Sequence, residues 1–439
     1  MKTRLLALWR GLPTPARRTA HAALGRVTAA GTWAGDTFRA LNDDLAERAL
    51  GLSIAWRTRR TGLAPTGPVT VVGFLGAVHG LGEGARMLVR GFEAHGLSVR
   101  GIDLSAQVGF PVDIPLQVAS PGPDARGVVI SHINPPELLR WIRATEGRAI
   151  AGRRHIGYWA WELEEMPEAW RPAFDAVDEV WCPSEFAARS IRAAAPPRVK
   201  VTAAPYPVYL NPCPAPDRAG LGLPADAVVV LMAFDLRSTA QRKNPYAALR
   251  VFQQALAQAS REAVLVCKIV GADLYPETLA ALQALTADRP SVRLMTGSLS
   301  PHDMAVLMAS SDIVLSLHRS EGYGLLLAEA MWNGKATLAT GWSANVEFTD
   351  PACGVLTDYA LEPVASDGAI YQTGRWASVD EADAAAKLAR LITDDAWRAQ
   401  LSAATAQNPH ASFQPQAWLG LMQGLLPLRD WREIPGSKP

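Results

Sequence analysis

The sequence predicts an α/β fold of two Rossmann-like domains facing each other across a cleft, preceded by an α-helical extension. Three observations carry that expectation. Short runs of core-type residues, beginning with Val69-Thr70-Val71-Val72-Gly73-Phe74, alternate with helical stretches, the rhythm of parallel sheets covered on both faces. The rhythm breaks in a proline-rich stretch holding Pro205, Pro207, Pro212, Pro214 and Pro216, and restarts at Val228-Val229-Val230-Leu231-Met232-Ala233-Phe234. A chain of 439 residues is also too long for one ordinary core and fits two α/β domains plus an extension. The expected boundaries are 1–64 for the extension, 65–208 and 225–412 for the two domains, and 209–224 for the hinge.

Composition narrows the function classes. With 43 basic and 42 acidic side chains, no global field points to nucleic acid. No apolar run approaches the ~20 residues needed to span a bilayer. Cys182, Cys213, Cys267 and Cys353 lack any C-x-x-C spacing, so neither a zinc site nor a disulfide framework is expected. Arg10 cuts the first apolar run too short for a signal peptide, which makes a cytoplasmic location the default. Arg4, Arg10, Arg17, Arg18 and Arg26 precede the first acidic residue, Asp36. Residues 1–60 are therefore expected either to touch the inner membrane surface peripherally, as an amphipathic anchor, or to pack as a helical arm on protein.

In the first domain the strand at 69–74 leads into a glycine loop, 76–84, then a helix over 85–94 and a strand over 98–104. Gly80-x-Gly82-x-x-Ala85 fits a dinucleotide fingerprint, with Asp103 about 20 residues on to hold a ribose, so an NAD(P)-dependent oxidoreductase is one reading. Against it, the glycines do not follow the strand directly. A strand over 128–132 ends on His132, a candidate base or a satisfied strand-end histidine. The stretch 154–161 carries Trp159 and Trp161 beside Glu162, a combination suited to sugar rings if the aromatics are exposed and to plain packing if they are not. Strand 177–183 precedes a helix capped by Ser184.

In the second domain the strand at 228–234 runs into a loop bearing Arg237, Arg242 and Lys243, then a helix over 246–258. Arg242 is expected to face water. Strands follow at 264–270 and 290–297, and Ser300 caps the next helix. The densest signal lies in residues 311–350: a buried strand over 312–317, the loop His318-Arg319-Ser320-Glu321-Gly322-Tyr323-Gly324, and an apolar helix over 325–331 interrupted by Glu329. A strand, glycine loop and helix in that order leave unpaired N–H groups at the helix start, where phosphate is favoured. Two carboxylates on one such unit can each accept hydroxyls from a ribose or a sugar ring. A strand over 336–340 and the loop 341–345 follow, with Asn345 either a donor to a sugar hydroxyl or a turn-stabilising residue; a strand-like piece at 371–376 and a helix over 380–392 close the domain.

At Glu321 and Glu329, with the words HRSEGYGLLLAEAM and ATGWSANVEF, the chain resembles the retaining GT-B glycosyltransferases of family 4 (glycosyl transferases group 1), in the branch of mannosyl and other hexosyl transferases that build bacterial surface polysaccharides. The mark of that family is E-x7-E. The resemblance implies GT-B architecture, with a last helix near 413–426 crossing back to the first domain. It implies a nucleotide-diphospho-sugar donor and a glycan or glycolipid acceptor, with no further cofactor. Arg237 and Lys243, six apart, match the pair that cradles the donor diphosphate; Glu321 would position the transferred sugar and Glu329 the ribose. Backbone N–H groups at Tyr323, Gly324 and Leu325 would add to the phosphate site, and Gly82 and Gly84 would approach the donor from the first domain. Many relatives place a histidine near the reacting sugar, whereas Trp159, Trp161 and Glu162 stand in that neighbourhood here. No Asp-x-Asp triplet occurs, so no bound metal is expected. A non-catalytic nucleotide-sugar binding protein on the same scaffold remains the third reading.

Overall fold

The computed structural model describes residues 68–114, 127–364 and 371–433. The extension 1–64, its expected membrane contact and the tail 435–439 lie outside the described residues. Among the described residues no helix is long and apolar enough to cross a membrane.

The first lobe is a parallel sheet in the order β2-β1-β3-β4-β5-β6. Its strands are β1 (Val69–Gly73), β2 (Val99–Asp103), β3 (Val128–His132), β4 (Arg154–Tyr158), β5 (Glu179–Cys182) and β6 (Lys200–Ala203). Helices α1 (Gly80–Ala94), α2 (Pro135–Ala144) and α3 (Glu185–Ala194) connect them. The second lobe repeats the plan in the order β12-β11-β10-β7-β8-β9. It begins with β7 (Val228–Asp235), the short turn of helix α4 (Ala240–Lys243), α5 (Pro245–Gln258), β8 (Ala263–Val270), α6 (Pro276–Thr286), β9 (Val292–Thr296) and α7 (Pro301–Ala309). It continues through β10 (Ile313–Ser316), α8 (Leu325–Trp332), β11 (Ala336–Thr340) and β12 (Val355–Thr357) to an antiparallel hairpin of β13 (Tyr359–Pro363) and β14 (Arg375–Val379). Helices α9 (Glu381–Thr393), α10 (Asp395–Thr405) and α11 (Pro415–Leu425) finish the chain.

Local sequence explains most of these elements. All five residues of β1 are buried, as a strand covered on both faces requires. Ser184 caps α3 by accepting the Ala187 N–H at 3.1 Å, and Ser300 caps α7 through Asp303. Strand β13 gave no such signal, because its residues are largely exposed and of mixed polarity. Helix α11 does return to the first lobe. Trp418 stacks on His95 at 5.5 Å and donates to the Pro205 carbonyl at 2.9 Å.

The helix after β1 starts at Gly80, five residues before the expected position. Most of the supposed glycine loop is therefore helix. Gly84 lies on the buried side of α1, where a Cβ would come within 2.7 Å of the Tyr206 ring. Gly82 is as tightly placed, since a Cβ there would meet the Ala77 carbonyl at 2.5 Å. These glycines let α1 sit close against its own lobe.

Candidate active site

Strand order decides where a ligand can bind. Each sheet is built outward from its first strand in one direction and then in the other, so a crevice opens at the carboxyl ends of β1 and β3, and again at those of β7 and β10. The two crevices face one cavity of about 720 Å³. Its walls include Val78, His79 and Glu83 from the first lobe and Arg237, Lys243 and Glu321 from the second.

Arg237 follows β7 and pairs with Asp235 at 2.7 Å, while its Nη2 reaches the Val78 carbonyl of the opposite lobe at 3.4 Å. Lys243 ends the turn α4 and forms an ion pair with Glu321, which follows β10. Arg242, expected to face water, is instead 2% exposed. It donates to the Ser320 carbonyl at 2.8 Å, pairs with Glu321 at 3.2 Å and approaches Glu162 at 3.7 Å, with its guanidinium 5.7 Å from the Tyr371 ring. A basic side chain next to Lys243 reads as surface in a linear sequence; only the fold brings two carboxylates and an aromatic ring over it. Burial alone would push the Glu321 carboxyl up, but Lys243, Arg242 and His318 outweigh it and hold the group down at about 2. Glu321 is an anion at any working pH.

The backbone around this cluster is strained. Of the four described non-glycine residues with positive φ, three are Thr239, Asn244 and Ser343. Thr239 accepts the Arg242 N–H at 3.2 Å, Asn244 donates to the Leu317 carbonyl at 3.0 Å, and Ser343 accepts the Glu321 N–H at 2.8 Å. Such conformations cost about 1–3 kcal/mol each and persist where the surroundings enforce them, commonly at functional sites.

Glu329 lies on α8 and lines the same cavity. It accepts from Asn211 Nδ2 at 3.0 Å; Asn211 in turn accepts from Arg90, which pairs with Glu83 at 2.6 Å. Burial, then the negative charge of Glu83, raises the Glu329 carboxyl to about 8 against Arg90, Asn211 and Arg86. The shift favours the protonated form, in which the group can both donate and accept. Helix α8 opens on Gly324 at φ +93°. Leu327 and Ala328 donate to the Gly324 carbonyl, whereas the amides of Leu325 and Leu326, at the cavity wall, come too early to reach an intrahelical acceptor. The Tyr323 side chain is buried, its hydroxyl 2.6 Å from Ser412 Oγ.

Residues 230–394 match the family of glycosyl transferases group 1. No curated protein matches the sequence. Among solved structures the chain is similar to HepE from Anabaena in complex with UDP and glucose, at 16% identity over 82% of this chain and 100% of that one, with a TM-score of 0.55. It is similar to sucrose-phosphate synthase from Thermosynechococcus elongatus at 16% identity, over 82% and 98% of the two chains, with a TM-score of 0.58. A glycosyltransferase from Rickettsia africae gives 13% identity, the same coverage and a TM-score of 0.53. The fold is GT-B. The group 1 match falls on the second GT-B lobe, which supplies Arg237, Lys243, Glu321 and Glu329.

The first GT-B lobe departs from several expectations. Trp159 is fully buried against Trp170 and Phe174, and Trp161 is 3% exposed, packed on Trp170 with its Nε1 donating to the Glu165 carbonyl. Neither ring has a face for a sugar. His132 is sealed from the cleft, stacked on Tyr158 at 4.5 Å with Nε2 at 2.9 Å from the Tyr206 hydroxyl, and burial depresses it to about 3. Gly82 and Gly84 serve helix packing, and the Gly82 N–H is bonded to His79 Nδ1. In the second lobe Asn345 is buried too, its amide donating to the Thr340 carbonyl and its Oδ1 bonded to His318, so it stabilises a turn. Of the first-lobe candidates for the sugar site, Gly82, Gly84, His132, Trp159, Trp161 and Glu162, only Glu162 lines the cavity.

The same geometry removes the basis of the dinucleotide fingerprint. Gly80 and Gly82 lie within α1 rather than in a turn directly after β1. Asp103 Oδ1 accepts from the Gly76 N–H at 3.0 Å and from Ser105 N and Oγ, which ties this carboxylate to the turn after β1. His79, Glu83, Arg90 and Asn211 are cavity residues that the sequence did not disclose. No local pattern marks them, since the hinge and α1 meet only in the folded chain.

Proposed function

We propose that the protein is a retaining glycosyltransferase that moves a hexose from a nucleoside-diphosphate sugar to a hydroxyl of a growing glycan or glycolipid. One observation carries the reading: cations and carboxylates from both strands flanking the second-lobe switch point converge on a single cavity whose opposite wall is the first lobe. Arg237, Lys243 and the first amides of α8 take the diphosphate and offset its charge as it departs. Glu329 holds the ribose diol and Glu321 the transferred sugar, beside the positive charge that develops on the ring. The lobes exclude water that would otherwise consume the donor. Because two side-chain cations fill the charge-neutralising role, transfer proceeds without an added divalent metal. HepE was solved with UDP and glucose, which makes UDP-glucose the first donor to try.

The test pairs binding with turnover. Calorimetric titration with UDP, GDP, dTDP, ADP and NAD(P)H is expected to show nucleoside-diphosphate binding, and the matching sugar nucleotide to be consumed in the presence of EDTA. Arg237→Ala and Lys243→Ala are each expected to lower kcat by ~100-fold. Wild-type turnover by either variant rejects its role; NADH binding instead points to redox chemistry, and diphosphate binding without turnover to a binding protein.

A further inference from the structure

His79 is the cavity residue that this scheme leaves without a task. Its Nδ1 accepts the Gly82 N–H at 3.3 Å, which makes the side chain the N-cap of α1. That bond fixes the tautomer. Nδ1 must keep its lone pair toward Gly82, so the neutral ring carries its proton on Nε2. Nε2 is buried and has no hydrogen-bond partner among the described residues, although the ring lines the cavity. A buried donor without an acceptor is rare in folded proteins and calls for an explanation.

The surroundings say which acceptor fits. The ring lies 4.7 Å from Phe110, and the Arg237 guanidinium lies over the same Phe110 at 5.2 Å while reaching the carbonyl of Val78, the residue before His79. The first-lobe imidazole and the second-lobe cation thus meet at Phe110 on the wall of one cavity. Burial, then the charges of Arg237 and Arg86, depress the imidazole to about 3 against the opposing pull of Asp103. The ring stays neutral, and Nε2 has no lone pair to act as a base.

We propose that His79 Nε2–H is the first lobe's hydrogen-bond donor to the diphosphate of the nucleotide-sugar, acting beside Arg237. This rests on the nucleotide-sugar reading. It gives the first lobe a direct hold on the leaving group, so that closure of the lobes adds a bond to the phosphate just where charge accumulates. The residue is a binding residue rather than an acid or base.

The test separates the cap from the contact. In the full chain, H79N keeps a capping oxygen for Gly82 but loses the distal N–H, whereas H79A loses both. Calorimetry with UDP and UMP, or with whichever diphosphate binds the wild type and its monophosphate, is the readout. H79N is expected to weaken diphosphate binding about tenfold while leaving the monophosphate within about twofold. Diphosphate affinity unchanged in H79N, or lost only in H79A, reduces His79 to a cap and overturns the proposal. Loss confined to the sugar nucleotide, with UDP unaffected, overturns it as well by moving the contact to the sugar. A measurement needing no variant is the ¹⁵N signal of His79 Nε2, expected to shift on adding UDP but not UMP; no response to bound UDP is a refutation. A wild-type chain that binds no nucleoside diphosphate at all instead removes the nucleotide-sugar reading, and this inference with it.

Discussion

The two lobes share a topology but use their polar groups differently. In the first, the side chains that look chemical are consumed internally: Asp103 organises the turn after β1, His132 bonds Tyr206, and Trp159 fills the core. In the second, charged groups pair with one another at the cavity wall, Lys243 and Arg242 with Glu321. The first lobe is chiefly scaffold within its strands and meets the cavity through α1, the loop before it and the segments after β3 and β4 that carry Asn134, Ala160 and Glu162. The second has merged scaffold and chemistry, since the arginine that is buried to hold Glu321 also supports the loop that carries it. The group 1 match covers only that second lobe.

Substitutions can break this contrast. The largest effect is expected from Trp159→Ala, which opens a cavity among Trp170 and Phe174 and should cost about 3–5 kcal/mol of stability in urea unfolding, with the donor KM unchanged. A large rise in KM returns Trp159 to the sugar site. Arg242→Ala strips the buried countercharge from Glu321 and Glu162 and should cost about 3 kcal/mol while also lowering kcat, so that stability and activity fall together in the second lobe. Activity retained at normal kcat separates the two functions again.

Glu329→Gln gives the smallest effect and the sharpest sign. Burial raises the folded-state carboxyl to about 8, well above its ordinary value of 4.5. Between those two values the unfolded chain has released a proton that the folded chain still holds, so stability declines as pH rises through the window and levels off above pH 8. Glutamine cannot release that proton. The variant is expected to lose less stability than wild type between pH 5 and 8 in urea titrations across that range. Parallel profiles reject a neutral Glu329.

What the sequence disclosed follows the same division. Arg237, Lys243, Glu321 and Glu329 could be singled out because their spacing matches the resembling family and each follows a strand or helix signal, and topology then brings them to one cavity. The sheets themselves were legible for the same reason: continuous buried runs such as β1 and β7 have few alternatives. The first-lobe site was not, because aromatic and acidic residues after a strand look alike whether they face a ligand or a core. Trp159 and Glu162, three residues apart, went opposite ways. Arg242 and His79 depend on partners far along the chain, Glu162 in one case and Arg237 in the other, so no window of sequence contains their environment.

Gly322, next to Glu321, has the backbone of Trp161 pressed against it: a Cβ there would sit 2.9 Å from the Trp161 carbonyl oxygen, and the Gly322 carbonyl accepts from Ser184 Oγ at 2.7 Å. The Glu321 carboxylate is thus geared to the neighbouring lobe through one residue too small to yield. Misplacing a reacting group by about 1 Å can cost roughly 100-fold in rate. Any force that tilts the first lobe is therefore conveyed mechanically, through Gly322, to the Glu321 carboxylate beside it.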